Sequence, residues 1–262
     1  STQLYQVLLN LCVNARDALP EGGWLQLTAE NQVLDEHYVG MNAEARPGPH
    51  VMIQVADSGT GIPAAVREQI FDPFFTTKEP GKGTGLGLST VLSIVKNHGG
   101  FLTVHSDVGK GTEFKVFLPA APGAVTAGKD GAPAPARGRG ELILLADDEA
   151  HIRDLTQRTL ELHGYRTLTA ADGAEALARY TNARGEVRAV VTDLAMPVMD
   201  GLALARELRR MNPQVRIIIS TGQSIVEQRS ELQKLGVNSF LAKPYTGRCL
   251  LTTLQQELGA QE

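Results

Sequence analysis

Apolar positions recur along this chain with two different periods. Leu4, Val7, Leu8, Leu11, Cys12 and Ala15 fall three or four residues apart, which predicts a helix over Thr2 to Leu19, closed by Pro20 and Gly22-Gly23. Trp24 to Glu30 and Val51 to Ala56 alternate or run apolar as strands do, with a polar, proline-bearing loop from Leu34 to His50 between them. Leu86 to Val95 returns to the helical period. Phe101 to Val104 and Thr112 to Leu118, joined through Asp107 to Gly111, read as a closing hairpin.

From Ala120 to Gly140 the periodicity stops. That stretch is mostly Ala, Gly and Pro, too poor in apolar surface to fold, and reads as a linker. Beyond it lie five short apolar runs, at Leu142 to Ala146, Arg166 to Thr169, Ala189 to Thr192, Val215 to Ser220 and Phe240 to Ala242. Helical patterns follow each, at Ala150 to His163, Gly173 to Tyr180, Gly201 to Met211, Ile225 to Leu235 and Thr246 to Leu258. Five strand–helix alternations imply a doubly wound parallel sheet. The expectation is therefore an α/β chain of two domains, 1–119 and 141–262, with a linker at 120–140.

At 262 residues and 42% hydrophobic, the chain is long enough for two modest cores. Its net charge of −4 offers no basic field to nucleic acid or to an anionic membrane. Cys12 and Cys249, both within apolar-periodic stretches, suggest a reducing cytoplasm and buried thiols rather than a disulfide. No apolar stretch approaches the roughly 20 residues that span a bilayer, so no direct membrane contact is expected.

The chemistry begins at Phe71 to Leu88. Glycines and prolines between Pro80 and Gly87 free the backbone to bend, and the helix that follows presents unpaired N–H groups to an anion. Phosphate is the natural partner, with Lys78 and Lys82 adding mobile positive charge. Asn10, Asn14 and Asp17 share one helix face. They read either as a solvated face or as hard-cation ligands, with Asn10 and Asn14 holding magnesium against a triphosphate. The strand before Asp57-Ser58-Gly59-Thr60-Gly61 ends in a turn that is either structural or carries a carboxylate able to accept from an exocyclic amine such as that of adenine.

In the second half, the strand ends bring Asp147-Asp148-Glu149, Asp193, Thr221 and Lys243-Pro244 to one pole, where parallel sheets bind ligands. Crowded carboxylates repel one another unless a divalent cation such as magnesium sits among them. A carboxylate beside that cation can attack a phosphoryl group, with Lys243 and the Thr221 hydroxyl stabilising the transferred oxygens.

Asn10-x-x-x-Asn14, Asp57-x-Gly59-x-Gly61, Phe71 to Phe75 and Gly83-x-Gly85-x-Gly87 resemble, in order, the N, G1, F and G2 boxes of histidine-kinase catalytic domains, relatives of gyrase, Hsp90 and MutL. The resemblance covers nearly all of 1–119. It implies an α/β-sandwich ATP-binding domain, here expected to be truncated at its N-terminus. It further implies that Asp57 reads adenine, Asn14 holds magnesium, Asn10 and Lys78 meet phosphates, Gly83, Thr84, Gly85, Leu86, Gly87 and Leu88 wrap the triphosphate, and Gly59, Gly61 and Lys82 also belong to the ATP site. Hydrolytic relatives carry a glutamate base where Asn10 stands, and a carboxamide cannot take that proton. Asp17 departs from the pattern, since many such kinases carry a lysine or arginine there.

The acidic pole is similar to that of response-regulator receiver domains, which are flavodoxin-like. That likeness implies Asp193 as phosphoacceptor, Asp147, Asp148 and the Ala195 carbonyl around magnesium, Thr221 and Lys243 as phosphate partners, and Phe240 as an aromatic switch. None of the six histidines sits in a phosphoacceptor setting. The chain thus resembles the C-terminal part of a hybrid sensor histidine kinase, a cytoplasmic piece of a parent that can itself be membrane-anchored. Its partners would be the histidine-bearing dimerisation domain of that parent and a downstream histidine-phosphotransfer protein or response regulator, and the piece itself would be a monomer. Two other readings stay open: a non-catalytic ATP-binding and receiver module that docks a partner on phosphorylation, and a chaperone-like or gyrase-like ATPase.

Overall fold

In the computed structural model, residues 2–78, 83–121, 137–183, 185–222 and 226–259 are described. The chain forms two compact units, Ser1–Val33 with Glu44–Gly131, and Leu34–Ala43 with Ala132–Glu262.

The first unit holds helix α1 (Thr2–Asp17), then strands β1 (Leu25–Leu34) and β2 (Gly48–Asp57) on either side of a short helix α2 (Glu36–Met41). Helix α3 (Gly87–Asn97) and the hairpin β3 (Phe101–Asp107) and β4 (Gly111–Pro119) complete it. Its four strands lie in the order β1-β2-β4-β3, with β4 antiparallel to both neighbours. α1 buries Val7, Leu11 and Ala15, a stripe at four-residue spacing, and α3 buries Val91, Ile94 and Val95. Val7, Leu11, Val91, Ile94 and Val95 meet Ile53, Val55, Phe114 and Val116 of the sheet in one apolar core. Each such buried aliphatic side chain contributes about 1.5–3 kcal/mol, so the helix stripes hold α1 and α3 to the sheet. On the sheet's other face Phe101 stacks on Phe117 with centroids 4.5 Å apart. β1 lies at one edge of the sheet, and of its residues only Leu34 is fully buried.

In the second unit β5 (Leu142–Ala146), β6 (Arg166–Ala170), β7 (Val187–Asp193), β8 (Arg216–Thr221) and β9 (Ser239–Ala242) form one parallel sheet in the order β6-β5-β7-β8-β9. Helices α4 (Ala150–Leu162), α5 (Gly173–Asn182), α6 (Gly201–Met211), α7 (Val226–Lys234) and α8 (Gly247–Gly259) alternate with the strands. Every residue of β5 is buried, as a parallel strand covered on both faces requires. Asp172 and Asp200 cap α5 and α6 by accepting from the amides of Glu175 and Ala203, at 2.8 and 2.7 Å.

The compact units depart from the sequence division at one place. Residues 34–50, expected as a loop of the first domain, contain α2, and α2 belongs to the second unit. Asp35 explains its formation: Oδ1 accepts from the Tyr38 amide at 2.9 Å, while Oδ2 accepts from the Gly247 amide at 2.7 Å. His37, 3% exposed, lies with its ring centroid 5.2 Å from that of Tyr245, and its Nδ1 is 3.1 Å from the Thr159 hydroxyl. Burial pushes the His37 imidazole down to about 4.

The thiols also differ from expectation. Both are free thiols, as expected, but Cys12 is only half-buried and Cys249 is exposed, the α8 stripe turning Leu250, Leu251 and Leu254 inward instead of Cys249. Most of the expected linker, residues 122–136, lies outside the described residues.

Candidate functional sites

In the first unit the four singled-out segments converge. The Asn10 side-chain amide donates to the Gly87 carbonyl at 3.1 Å. Asn14 stands one turn further along α1, its Nδ2 3.8 Å from where a Cβ on Gly87 would lie. α3 starts at Gly87 with no side chain capping Leu86, which leaves its first amides available to an anion. The stem of the expected lid is fastened by backbone: the Phe74 amide donates to the Gly85 carbonyl at 2.9 Å. Gly85 has φ +65°, and a Cβ there would lie 2.3 Å from the Phe74 carbonyl carbon, so only glycine fits. Gly83 is less crowded, with the Thr76 side chain closest, its Oγ1 2.7 Å from the would-be Cβ. Thr84 Oγ1 accepts weakly from the Leu86 amide at 3.4 Å, Leu86 is exposed, and Leu88 packs on the core. Lys82 lies outside the described residues.

Asp57 ends β2 as a buried carboxylate. Its Oδ1 accepts from the Gly59 amide at 2.8 Å and the Thr112 amide at 3.3 Å. Burial pushes its pKa above the usual carboxylate range, partly countered by those two amides. Glycine is required at 59 and 61, where a Cβ would strike the Ala18 carbonyl oxygen at 2.4 Å and that of Asp107 at 1.9 Å. Arg67, which the sequence reading did not single out, donates to the Ser106 carbonyl at 2.6 Å. Asp17, which departs from the family pattern, accepts from Lys78 Nζ at 2.6 Å and from Arg16.

In the second unit the strand ends gather a single charged cluster. One carboxylate oxygen from each of Asp147, Asp148 and Asp193 lies within 4.8 Å of the others. Lys243 Nζ donates to Asp147 Oδ2 at 2.7 Å and Asp193 Oδ2 at 3.0 Å, with Glu149 Oε1 at 3.9 Å. The remaining oxygens are held by backbone, Asp193 Oδ1 by the Leu194 amide and Asp147 Oδ1 by the Glu149 amide. Burial raises the Asp147 pKa, Lys243 lowers it, and the Asp193 charge raises it further. Burial depresses Lys243 while Asp147 and Asp193 raise it, and the net direction is upward. The lysine thus supplies part of the positive charge that the crowded carboxylates require. Three converging oxygens on a lysine-balanced pole fit a hard divalent cation.

Thr221 closes β8, buried beside β9, and Ala195 is exposed two residues beyond Asp193. Phe240 is half-buried on β9, and the Arg229 guanidinium of α7 stands 5.5 Å over its ring. Two supporting residues escaped the sequence reading. Arg153 donates to the Asp147 carbonyl at 2.6 Å from one turn into α4, and Tyr245 is buried two residues past Lys243. Only the six-residue step from Asp147 to a basic residue on a helix could have signalled the first.

Residues 1–122 match the family described as histidine kinase-, DNA gyrase B- and HSP90-like ATPase, and residues 143–255 match the response regulator receiver domain. The chain is 42% identical over 274 residues to the sensor kinase CckA of Brucella abortus, matching 99% of this chain and 28% of that protein. It is 32% identical over 260 residues to the sensor protein EvgS of Escherichia coli, matching 96% of this chain and 20% of that one. This chain therefore spans less than a third of the length of either relative. Among solved structures, chemotaxis protein CheY4 of Vibrio cholerae is similar over 45% of this chain and 99% of that one, at 34% identity and a TM-score of 0.43. Families of this kind use ATP and magnesium in general. The chain thus joins an ATPase domain of the histidine kinase, DNA gyrase B and HSP90-like family to a response regulator receiver domain, a pairing that belongs to two-component signalling.

Proposed function

We propose that this chain is the ATP-using and phosphate-receiving cytoplasmic part of a hybrid sensor kinase, a parent that can itself be membrane-anchored. Residues 1–119 bind ATP and transfer its γ-phosphoryl group to a histidine on the dimerisation domain of the parent, and residues 141–262 then take that group onto Asp193, with 120–140 between them as linker. The chain itself is a monomer. A histidine-phosphotransfer protein or a response regulator receives the phosphoryl group next. The observation that carries this reading is the joining of Asp147 and Asp193 by one lysine at the C-terminal ends of parallel strands, with Asp148 alongside.

In the ATP site, Asp57 accepts from the adenine amine, and its two backbone bonds fix the carboxylate's direction. Gly83 to Leu88, Asn10 and Lys78 would contact the phosphates, and Asn14 would hold the magnesium that neutralises their charge. Asn10 carries no group able to deprotonate water, so the phosphoryl group is reserved for a better nucleophile. In the receiver, Asp147, Asp148, Asp193 and the Ala195 carbonyl would hold magnesium, which supplies charge neutralisation for the incoming phosphoryl oxygens. Asp193 Oδ2 attacks phosphorus while the P–N bond to the donor imidazole breaks, the imidazole nitrogen keeping the bond's electron pair and taking up a proton. Lys243 and the Thr221 hydroxyl stabilise the transferred oxygens, and Phe240 repacks in response.

The test uses ATP labelled at the γ position, magnesium, this chain and a separately prepared histidine-bearing dimerisation domain of a sensor kinase. The expected result is label on the histidine and then alkali-labile label on Asp193. Release of inorganic phosphate without the histidine domain would instead favour a hydrolase.

Asp57→Asn should weaken ATP binding about tenfold to a hundredfold by calorimetry, because a buried polar contact is lost and the amide presents a donor to a donor. The sign of the pH effect follows from the raised pKa. As pH falls through that raised range Asp57 takes up a proton, ceases to be a pure acceptor, and ATP affinity drops. The Asn variant should lack that acid limb.

A further inference from the structure

We infer that Asp17 is a latch on Lys78, a positioning residue that sets the affinity of the first unit for triphosphates without touching the nucleotide base. The inference rests on the reading of this pocket as an ATP site.

Asn10, Asn14 and Asp17 occupy one face of α1 at successive turns. The first two stand against Gly87 at the head of α3, so the third marks the next position along the same wall. There the chemistry inverts. Lys78 is the described cation of the lid stem, and its Nζ donates to Asp17 Oδ2 at 2.6 Å, while Arg16 donates to Oδ1 through Nε at 3.1 Å and Nη2 at 2.8 Å. Each carboxylate oxygen thus holds a different cation. The Lys78 backbone is fixed by its amide, which donates to Thr76 Oγ1 at 3.2 Å, and its stem passes beside Gly83. The ordinary acid strength of Asp17 is increased, chiefly by the Lys78 bond and next by Arg16, so the carboxylate stays charged well below neutral pH.

Two consequences follow from charge alone. A phosphate chain that recruits Lys78 has to take it from Asp17, and it does so beside a carboxylate of its own sign. Adenosine meets neither obstacle. Asp17 therefore lowers affinity in proportion to the phosphate charge brought to Lys78, and it tunes the threshold for ATP rather than recognition of adenine. Because Asp17 and Lys78 are partly exposed, the coupling is modest and screened by salt.

The experiment is calorimetric titration of the whole chain, with magnesium, by ATP and separately by adenosine, for the wild type, Asp17→Asn, Asp17→Glu, Lys78→Ala and the Asp17→Asn/Lys78→Ala double variant. Asp17→Asn should tighten ATP about twofold to fivefold at low salt and leave adenosine unchanged. Asp17→Glu should restore the wild-type value. In the Lys78→Ala background, Asp17→Asn should gain much less, since nothing remains to be released. Weaker ATP binding in Asp17→Asn would overturn the inference and make Asp17 a ligand of the nucleotide's cation. An equal gain with and without Lys78 would also overturn it, leaving only bulk repulsion. A wild type that binds adenosine and ATP alike would remove the latch, and one that binds neither would remove the ATP reading itself.

Discussion

Asp193→Asn should lose the phosphoryl adduct altogether. With magnesium and acetyl phosphate, intact mass of the wild-type chain is expected to show one added phosphoryl group, and the variant none. Acetyl phosphate is a small donor, so neither a histidine domain nor bound ATP is needed. The loss is expected to be complete because a carboxamide has no anionic oxygen to attack phosphorus, while its size and its capacity to accept from the Leu194 amide are kept. The fold should therefore survive. An adduct of undiminished size in the variant would move the acceptor elsewhere, and no adduct in the wild type would count against Asp193 as a phosphate acceptor.

Lys243→Met should be the most destabilising of the single changes considered, at about 3–5 kcal/mol for the second unit. Lys243 is 11% exposed and its partners Asp147 and Asp193 are 3% and 10% exposed, so removing the cation strands two buried negative charges near each other. Hydrogen exchange of the β5 and β7 amides follows this unit apart from the first. The pH dependence has a definite sign. In the wild type the raised Lys243 pKa means that its stabilisation is fully present below its unfolded value of 10.5 and is lost as pH rises through the folded value. In the variant Asp147 loses the partner that lowered it, its pKa climbs further, and acidification relieves the repulsion by protonating it. The deficit should shrink as pH falls and also as magnesium is added. A deficit that stays constant across pH would mean that the lysine stem's packing, not its charge, stabilises the site.

The receiver half was legible because its signals are local. A parallel strand covered on both faces has to read as an apolar run, and Leu142–Ala146 does so with every residue buried. Once strands and helices alternate, their ends determine where Asp147, Asp193 and Lys243 meet. In the first half, the stripe Val7, Leu11 and Ala15 announced α1 and its buried face. What escaped depends on partners distant in sequence. α2 is six residues long, and the groups that fix it, the Thr159 hydroxyl, the Tyr245 ring and the Gly247 amide, lie more than a hundred residues away. Neither Lys78 nor Asp17 carries any mark of the other across 61 positions. Cys249 misled for the opposite reason: its apolar character fitted the α8 period, but Leu250 and Leu251 took the inward positions.

The strand order gives the receiver site a gradient in time as well as in charge. Asp193 ends β7, the middle strand of five, flanked by β5 and β8, whereas Lys243 directly follows β9, a four-residue strand at the sheet's border. Opening a border strand breaks one ladder, and opening a central one breaks two. Asp193 therefore stands on a strand held along both edges and Lys243 beside one held along a single edge, so the β9 amides should exchange with solvent faster than those of β7.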